Sequence, residues 1–436
     1  MSESPISTRC LESLQPAGLE VALRLEQAPE LAEALRAAMP GWPLAPAPAS
    51  ALSPPSSSVE APPFRELRAW READGYGQAV PGRSRPRRLP GIATAAGSLI
   101  ADLISLLLET RPQQNGLHCA AVEIGGRLVL FPATHRAGKS LLSAAFAAAG
   151  YRVFADDVLM LSDGDVDKDG SQGRGRVPGE PLGEALGIAP RLRLPLPEPL
   201  SAELVAFIAA REGVSDERYH YLALGEDRLA GHGEACPIGA IVMLDRVPGT
   251  AAPTLTRLSP GDGLLRLLGQ SLAGDAHDPA RRVERLLPMM QGLPCRSLRY
   301  DDPVAAVERV VAGLAEDDLT EQPLDEADPR PACPLSESIP TVGVPDAAWR
   351  RRPVEAEYPL GEEHFLVDGQ GGVHRLSAVA AGIWRLLGLE ALSRAEVAAL
   401  LAECFPEVEP ARLARDVARL FDDLAAAGLI APDVER

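Results

Sequence analysis

The run Ala133-Thr134-His135-Arg136-Ala137-Gly138-Lys139-Ser140 sets a glycine, a lysine and a hydroxyl in succession, after the apolar stretch GRLVLFPA and before the alanine-rich stretch LLSAAFAAA. Those types in that order suit a loop that grips phosphate. Successive backbone N–H groups turn inward to the phosphate oxygens, the lysine reaches the terminal phosphates, and the serine hydroxyl holds Mg2+. The helix that follows adds the positive end of its dipole at the same place. The spacing is that of the Walker A loop, G-x-x-x-x-G-K-[ST], with Ala133 in place of the first glycine. That position often takes a positive φ, where an alanine methyl is penalised, so a distorted loop or a different turn is expected. His135 and Arg136 stand where small residues are usual; Arg136 either contacts a phosphate or is a solvated side chain. The candidate nucleotide-binding set is therefore Ala133, Thr134, His135, Arg136, Ala137, Gly138, Lys139, Ser140 and Leu141, for ATP with Mg2+ on Ser140.

A second constellation follows. Asp156-Asp157 comes after Tyr151, Val153 and Phe154 and before Val158-Leu159-Met160-Leu161, so two carboxylates sit at the end of an apolar strand near the loop. Such a pair can divide the work of phosphoryl transfer, one carboxylate accepting the proton of an attacking hydroxyl and the other serving the metal. His118 heads the preceding strand, where a hydrogen-bonded core histidine is the plain alternative to a functional one.

The elements that must position these residues read as strand (LHCAAVEI), strand (GRLVLFPA), loop, helix, strand (RVFADDVLML), an α/β order with Gly125-Gly126 turning the first hairpin. Before it, residues 90–110 read as one helix. After it, short strands are expected over 235–244 and 254–258, and a helix over 303–314 closes the unit. Nearer the start, LEVALRL reads as a strand and residues 29–39 as a helix, while 44–63, rich in Pro, Ser and Ala, reads as a mobile loop. Asp163, Asp165, Asp167 and Asp169 precede Gly170, but Arg176 stands where a calcium loop needs a bidentate glutamate, so this reads as a solvated hairpin loop.

From Leu117 to Leu161 the chain resembles the core of bacterial HPr kinase/phosphorylase and its smaller relatives. A Leu-His pair opens the strand, a GKS loop follows, and an Asp-Asp pair ends the next strand; His118 lies 15 residues before Ala133 and Asp156 lies 17 after Lys139. The resemblance implies an ATP-dependent Ser/Thr kinase of a protein or peptide, in which Asp156 is the base, Asp157 assists with metal or with His118, and Lys139 and Ser140 hold the nucleotide. It also implies a multimer. The metal-binding glutamate of that family has no clear counterpart; Glu180 and Glu184 are candidates by location.

Composition bounds the rest. The chain has 436 residues, enough for two or three domains, with 46% hydrophobic residues, 4% aromatics, 41 prolines and 39 glycines. A formal net charge of −18 excludes a nucleic-acid backbone as main partner. Cys10, Cys119, Cys236, Cys295, Cys333 and Cys404 form no CxxC pair, so reduced thiols are expected rather than a zinc knuckle or a disulfide framework. The longest apolar stretch, residues 99–108, is interrupted by Asp102 and is shorter than the ~20 residues a bilayer span needs. The segment MSESPISTRC lacks a signal pattern, so a soluble cytoplasmic protein without membrane contact is expected.

Residues 315–357 turn acidic and proline-rich and read as a linker. Beyond it lie short strands (HFLVDGQGGVHRL) and helices over 378–387, 394–404 and 410–427, with Trp384 as the largest core candidate and Ser393/Glu396 as a capping box. This part resembles the PqqD family of leader-peptide recognition elements: Leu376-Ser377, Ala380, Ile383-Trp384 and Leu386-Leu387 in one stretch, the Ser393-x-x-Glu396 helix start, Asp416-Val417 with Leu420 and Leu424, and the closing Gly428-Leu429-Ile430. Ser377 stands where the family commonly has Asn. The resemblance implies a precursor peptide that adds to a sheet edge and packs on the third helix, with His374, Arg375 and Arg415 as contacts or plain surface positions.

The expected fold class is therefore α/β, a P-loop domain of the HPr-kinase type with a mixed sheet plus a winged-helix-like PqqD-type domain. The expected domains are a small lobe (1–95), the ATP-binding domain (96–314), the linker (315–357) and the peptide-binding domain (358–436). Two functions stay open: a kinase acting on a peptide that its own C-terminal domain recruits, or a P-loop protein that binds such a peptide without transferring phosphate.

Overall fold

The computed structural model describes residues 11–48, 65–79, 85–111, 114–133, 137–163, 180–272, 278–314 and 347–433. Thr134, His135 and Arg136, the aspartate-rich loop from Asp165 onward, most of the proline-rich stretch after Leu44 and most of the acidic segment after Leu314 lie outside them. The chain divides into two units, one of residues 1–259, 265–276 and 292–322, the other of 260–264, 277–291 and 323–436. Both mix α and β.

The first unit opens on a sheet in the order Leu44–Pro46, Leu11–Pro16, Val21–Glu26, Arg65–Glu72, Gly75–Gln78, Arg87–Leu89. Its central pair, Val21–Glu26 with Arg65–Glu72, is parallel. Residues 44–46, expected in a loop, thus form an edge strand on Leu11–Pro16. Helices Pro29–Ala38 and Ile92–Thr110 bury Leu31, Leu35, Leu99, Leu103 and Leu107 in one core with the inner faces of Val21, Leu23 and Leu25.

Helix Ile92–Thr110 corrects the expectation of a short apolar run. It has 19 residues and a mean hydropathy of 1.7, long and apolar enough to cross a membrane by those measures, and 61% of that window is buried inside the protein. Asp102, the charge that seemed to interrupt it, accepts a hydrogen bond from Gln78 Nε2 at 2.6 Å, and Gln78 accepts one from Ser98 Oγ at 2.6 Å. The helix start is capped from outside: one Asp216 oxygen accepts from Thr94 N at 2.7 Å and from Thr94 Oγ at 2.8 Å.

The second sheet, of ten strands among the described residues, carries the phosphate loop. Its path runs Arg152–Ala155, Cys119–Ile124, Arg127–Pro132, Ala235–Arg246, Pro181–Glu184, Leu159–Asp163, Asn115–Leu117, Ser271–Leu272. Cys119–Ile124 and Arg127–Pro132 are a hairpin closed by Gly125 and Gly126, both with positive φ as such a turn requires. Arg127–Pro132 pairs parallel with Ala235–Arg246, which pairs parallel in turn with Cys295–Tyr300. Helix Lys139–Ala148 covers this layer, burying Leu142, Phe146 and Ala147 against Val129, Phe131 and Val242.

The second unit holds an antiparallel sheet of Ala356–Leu360, Glu363–Val367 and Val373–Leu376, followed by helices Ala378–Leu389, Arg394–Cys404 and Pro410–Ala426. Trp384 is fully buried among Leu387, Val397, Val417 and Phe421. Trp349–Arg351 pairs with Ile430–Pro432, so ordered structure resumes inside the segment read as linker. Arg375 is held by Glu363 and by Asp262 at 2.6 Å, and His374 Nε2 lies 2.6 Å from Asp368, whereas Arg415 is exposed.

The Ser393/Glu396 capping box forms as the sequence foretold: Ser393 Oγ accepts from Glu396 N at 3.2 Å, and Glu396 Oε2 accepts from Ser393 N at 2.7 Å. Loss of such a cap costs ~1 kcal/mol. Ser393→Ala is therefore expected to speed amide hydrogen exchange roughly fivefold across Arg394–Cys404 and to leave helix Lys139–Ala148 unchanged. Unaltered exchange in Arg394–Cys404 would contradict the assignment.

Candidate active site

The site is assembled by strand register. Arg152–Ala155 runs antiparallel to Cys119–Ile124, with Val153 opposite Val122 and Ala155 opposite Ala121. The residue before Cys119 is thereby brought beside the residues after Ala155, so His118 meets Asp157: Nε2 lies 2.9 Å from Asp157 Oδ1. The neighbouring strand Arg127–Pro132 delivers the phosphate loop at the same end of the sheet.

Gly138 is the N-terminal cap of helix Lys139–Ala148 and takes the left-handed conformation, φ 89° and ψ 16°. A side chain there would be strained, and a Cβ would stand 2.8 Å from the Tyr300 hydroxyl. That hydroxyl donates to Ala137 O at 2.8 Å, tying the loop to strand Cys295–Tyr300. Gln27 is the non-glycine with positive φ among the described residues, so Ala133 does not occupy the region that penalises alanine. The distortion expected of Ala133 has no backbone basis.

Lys139 is buried and its Nζ donates to Ala133 O at 3.0 Å, arching over the loop. Burial lowers its pKa, an effect opposed by the charges of Asp157 and Asp156. Leu141 faces the core, so only its backbone N–H is available to a ligand. The first-turn amides of residues 139–141 have no partner within their helix, as at any helix start.

The two aspartates differ sharply in surroundings. Asp156 is 6% exposed. Its Oδ1 accepts from Ser143 Oγ at 3.2 Å and its Oδ2 from Arg191 N at 2.9 Å, and it is hydrogen-bonded to Ser140 as well. Burial pushes its carboxyl up to about 6, with the Asp157 charge adding to the rise and the hydrogen bonds opposing it. Asp157 is half exposed. Burial works against its charge too, but the hydrogen bond to His118 and the charges of Arg191 and Lys139 prevail and hold it below the usual carboxylate range. Arg191 Nη2 stands 3.7 Å from its Oδ2.

These environments separate the two carboxylates, Asp156 enclosed and Asp157 open. A base must be reached by an acceptor hydroxyl and must stay ionised. Asp157 meets both conditions, while Asp156 has both oxygens committed behind Ser140. Serine and aspartate at a phosphate loop are the pair that holds Mg2+ in P-loop enzymes, and a hydroxyl beside a buried carboxylate is a hard oxygen set that suits it.

Glu180 and Glu184 are taken up elsewhere, by Arg127 at 2.6 Å and by Arg111 at 3.0 Å. Among the described residues no three His, Cys, Asp or Glu side chains group as a metal cluster.

Sequence reasoning missed four residues. Gln270 accepts from the His118 backbone N at 2.8 Å, and its Oε1 lies 3.0 Å from His118 Nδ1. Arg191 and Tyr221 stand beside Asp157, and Tyr300 closes the loop. None carries a local signal, since each comes from an element distant in the chain. A cavity of about 810 Å³ opens beside the two aspartates, His118 and Arg191.

Among curated proteins none matches the chain. A solved structure described as the Hpr(Ser) kinase/phosphatase from Coxiella burnetii is similar over 45% of this chain and 93% of its own, at 12% identity and a TM-score of 0.21. So distant a likeness leaves the active-site reading to the residues themselves. Residues 363–430 match the family model described as Coenzyme PQQ synthesis protein D (PqqD). The chain thus joins a mixed α/β unit, which carries the Gly138-Lys139-Ser140 turn, to a domain that matches the PqqD family over residues 363–430.

Proposed function

We propose that the protein is an ATP-dependent phosphotransferase acting on a hydroxyl of a peptide that its PqqD domain recruits. The observation that carries this reading is the split pair of aspartates. Asp156 is buried behind the loop serine, and Asp157 is open to the cavity, ionised, and fixed by His118. Gly138, Lys139 and the amides of residues 139–141 would hold the triphosphate, and Ser140 backed by Asp156 would hold Mg2+. Bound Mg2+ would neutralise charge on the phosphate oxygens.

Asp157 then accepts the proton of the acceptor hydroxyl as its oxygen attacks the γ-phosphorus. An O–P bond forms, the bond from the γ-phosphorus to the bridging oxygen breaks, and ADP leaves. His118, braced by Gln270, keeps the Asp157 carboxylate aimed at the acceptor. Peptide capture by the PqqD domain raises the local concentration of the acceptor segment. The cytoplasm supplies the nucleotide such a reaction needs.

Peptide-dependent ATP consumption tests the reading, with serine- and threonine-containing peptides as substrates. Asp157→Asn is expected to lower the rate ~10²-fold or more, the usual contribution of a general base, while retaining nucleotide. Lys139→Ala should weaken nucleotide binding itself. Equal rates in wild type and both variants would remove the phosphotransferase, and ATP bound but never consumed would leave a peptide-binding protein.

Protons and Mg2+ compete for Asp156. Its carboxyl is raised to about 6, so it is ionised above that pH and increasingly protonated below. The Mg2+ concentration for half-maximal ATP consumption is therefore expected to climb as pH falls through 6, approaching ~10-fold per pH unit. A Mg2+ requirement that stays flat between pH 7 and 5 would contradict the placement of the metal at this carboxylate.

A further inference from the structure

The cavity beside the aspartates is not the nucleotide's. None of the described loop residues, Ala137 to Leu141, lines it, and His118, Arg191 and Tyr221 join the aspartates at its polar end. The opposite wall is helix Ile92–Thr110, which presents Ile100, Ile104 and Leu108, one turn apart, and Leu272 contributes a further apolar surface. Eight residues of helix span about 12 Å, the length of roughly four residues of extended chain. About 810 Å³ is far more than one side chain needs and falls in the range that encloses a whole ligand.

The lining also sets polarity. A charged group laid against Ile100, Ile104 and Leu108 would lose its water without gaining a partner, whereas an apolar side chain would gain by burial. Asp156, Asp157 and Glu109 border the cavity with Arg191 as the cation, and Arg191 is already close to Asp157, so an acidic segment is repelled as well. The helix is fixed at this distance by Gly97: a Cβ there would stand 2.6 Å from Arg191 Nη1 and 2.8 Å from the Tyr221 hydroxyl.

We infer that this cavity is the acceptor subsite and that it takes a hydroxyl-bearing residue flanked by about three apolar residues, the hydroxyl at Asp157 and the apolar side chains along helix Ile92–Thr110. The inference rests on the phosphotransferase reading for what happens to the hydroxyl, but binding to the cavity can be measured without it. Ala101 and Ser105 line the cavity from exposed positions on the same helix, so enlarging them fills it without disturbing the core.

The test uses the full-length protein and a fluorescein-labelled hexapeptide with one serine among leucines, beside twins in which aspartate or lysine replaces the leucines. Fluorescence anisotropy reads binding, and mass spectrometry after incubation with ATP and Mg2+ reads phosphate transfer. The leucine peptide is expected to bind at least tenfold tighter than either twin, and Ala101→Trp and Ser105→Trp are each expected to weaken it at least tenfold while affinity for a fluorescent ATP analogue is unchanged. Apolar binding that both tryptophans abolish, with no transfer to any peptide, would uphold the subsite and sink the phosphotransferase. Transfer that ignores the flanking residues, binding indifferent to either tryptophan, or free serine serving as well as the leucine peptide would overturn the subsite.

Discussion

The buried carboxylate of Asp156 is the constraint on which the site depends. Its hydrogen bonds join three elements that are remote in the chain: Ser140 and Ser143 on the helix after the phosphate loop, the end of strand Arg152–Ala155, and the backbone at the start of strand Arg191–Arg193. A charge so enclosed is costly. A carboxyl raised from 3.8 to about 6 corresponds to something on the order of 3 kcal/mol against the ionised form. Three donors offset that cost only in one arrangement, which fixes how far the loop helix stands from the strand end and where Arg191 begins. The side chain of Arg191, sent onward from that anchor, then reaches Asp157. The exposed aspartate is thus positioned through its buried neighbour.

Much of this was legible in the sequence because it is local. An apolar strand, a Gly-Lys-Ser turn, a helix and an Asp pair follow one another over residues 127–157, and each has a pattern of its own. The capping box of Ser393 and Glu396 and the glycine hairpin at Gly125-Gly126 could be read for the same reason. What a dipeptide cannot reveal is which of two adjacent carboxylates turns inward, since the pair lies in the bend after strand Arg152–Ala155, where no regular alternation sets the side chains. Asp156 is the enclosed carboxylate and Asp157 the exposed one. Likewise the concern over Ala133 assumed a backbone angle that the fold does not impose.

Other parts were illegible because their cause is tertiary. Gln270 reaches His118 across 152 residues, and Tyr300 reaches Ala137 across 163. Strands Asn115–Leu117, Arg191–Arg193 and Tyr219–Tyr221 have three residues each, too few for alternation to register. Helix Pro279–Gly292 carries Pro288 in its interior, which argues against a helix on propensity alone. Strands Trp349–Arg351 and Ala356–Leu360 were hidden by the acidic, proline-rich composition just before them.

Helix Ile92–Thr110 joins fold to function. An ordinary covering helix needs one apolar stripe, yet this one is hydrophobic enough to meet the criteria for crossing a membrane. Leu99, Leu103 and Leu107 and equally Ile100, Ile104 and Leu108 belong to the core shared with the first sheet, and the latter three also border the cavity beside Asp157. A helix that faces both a core and a cavity wall must be apolar over a wide arc, more than one stripe supplies. Among its polar residues, Asp102 and Ser98 are bonded to Gln78, while Ser105 and Glu109 lie exposed at the border of the cavity. The composition that reads as a membrane span is therefore what a helix requires when it serves a core and the wall of a cavity at once.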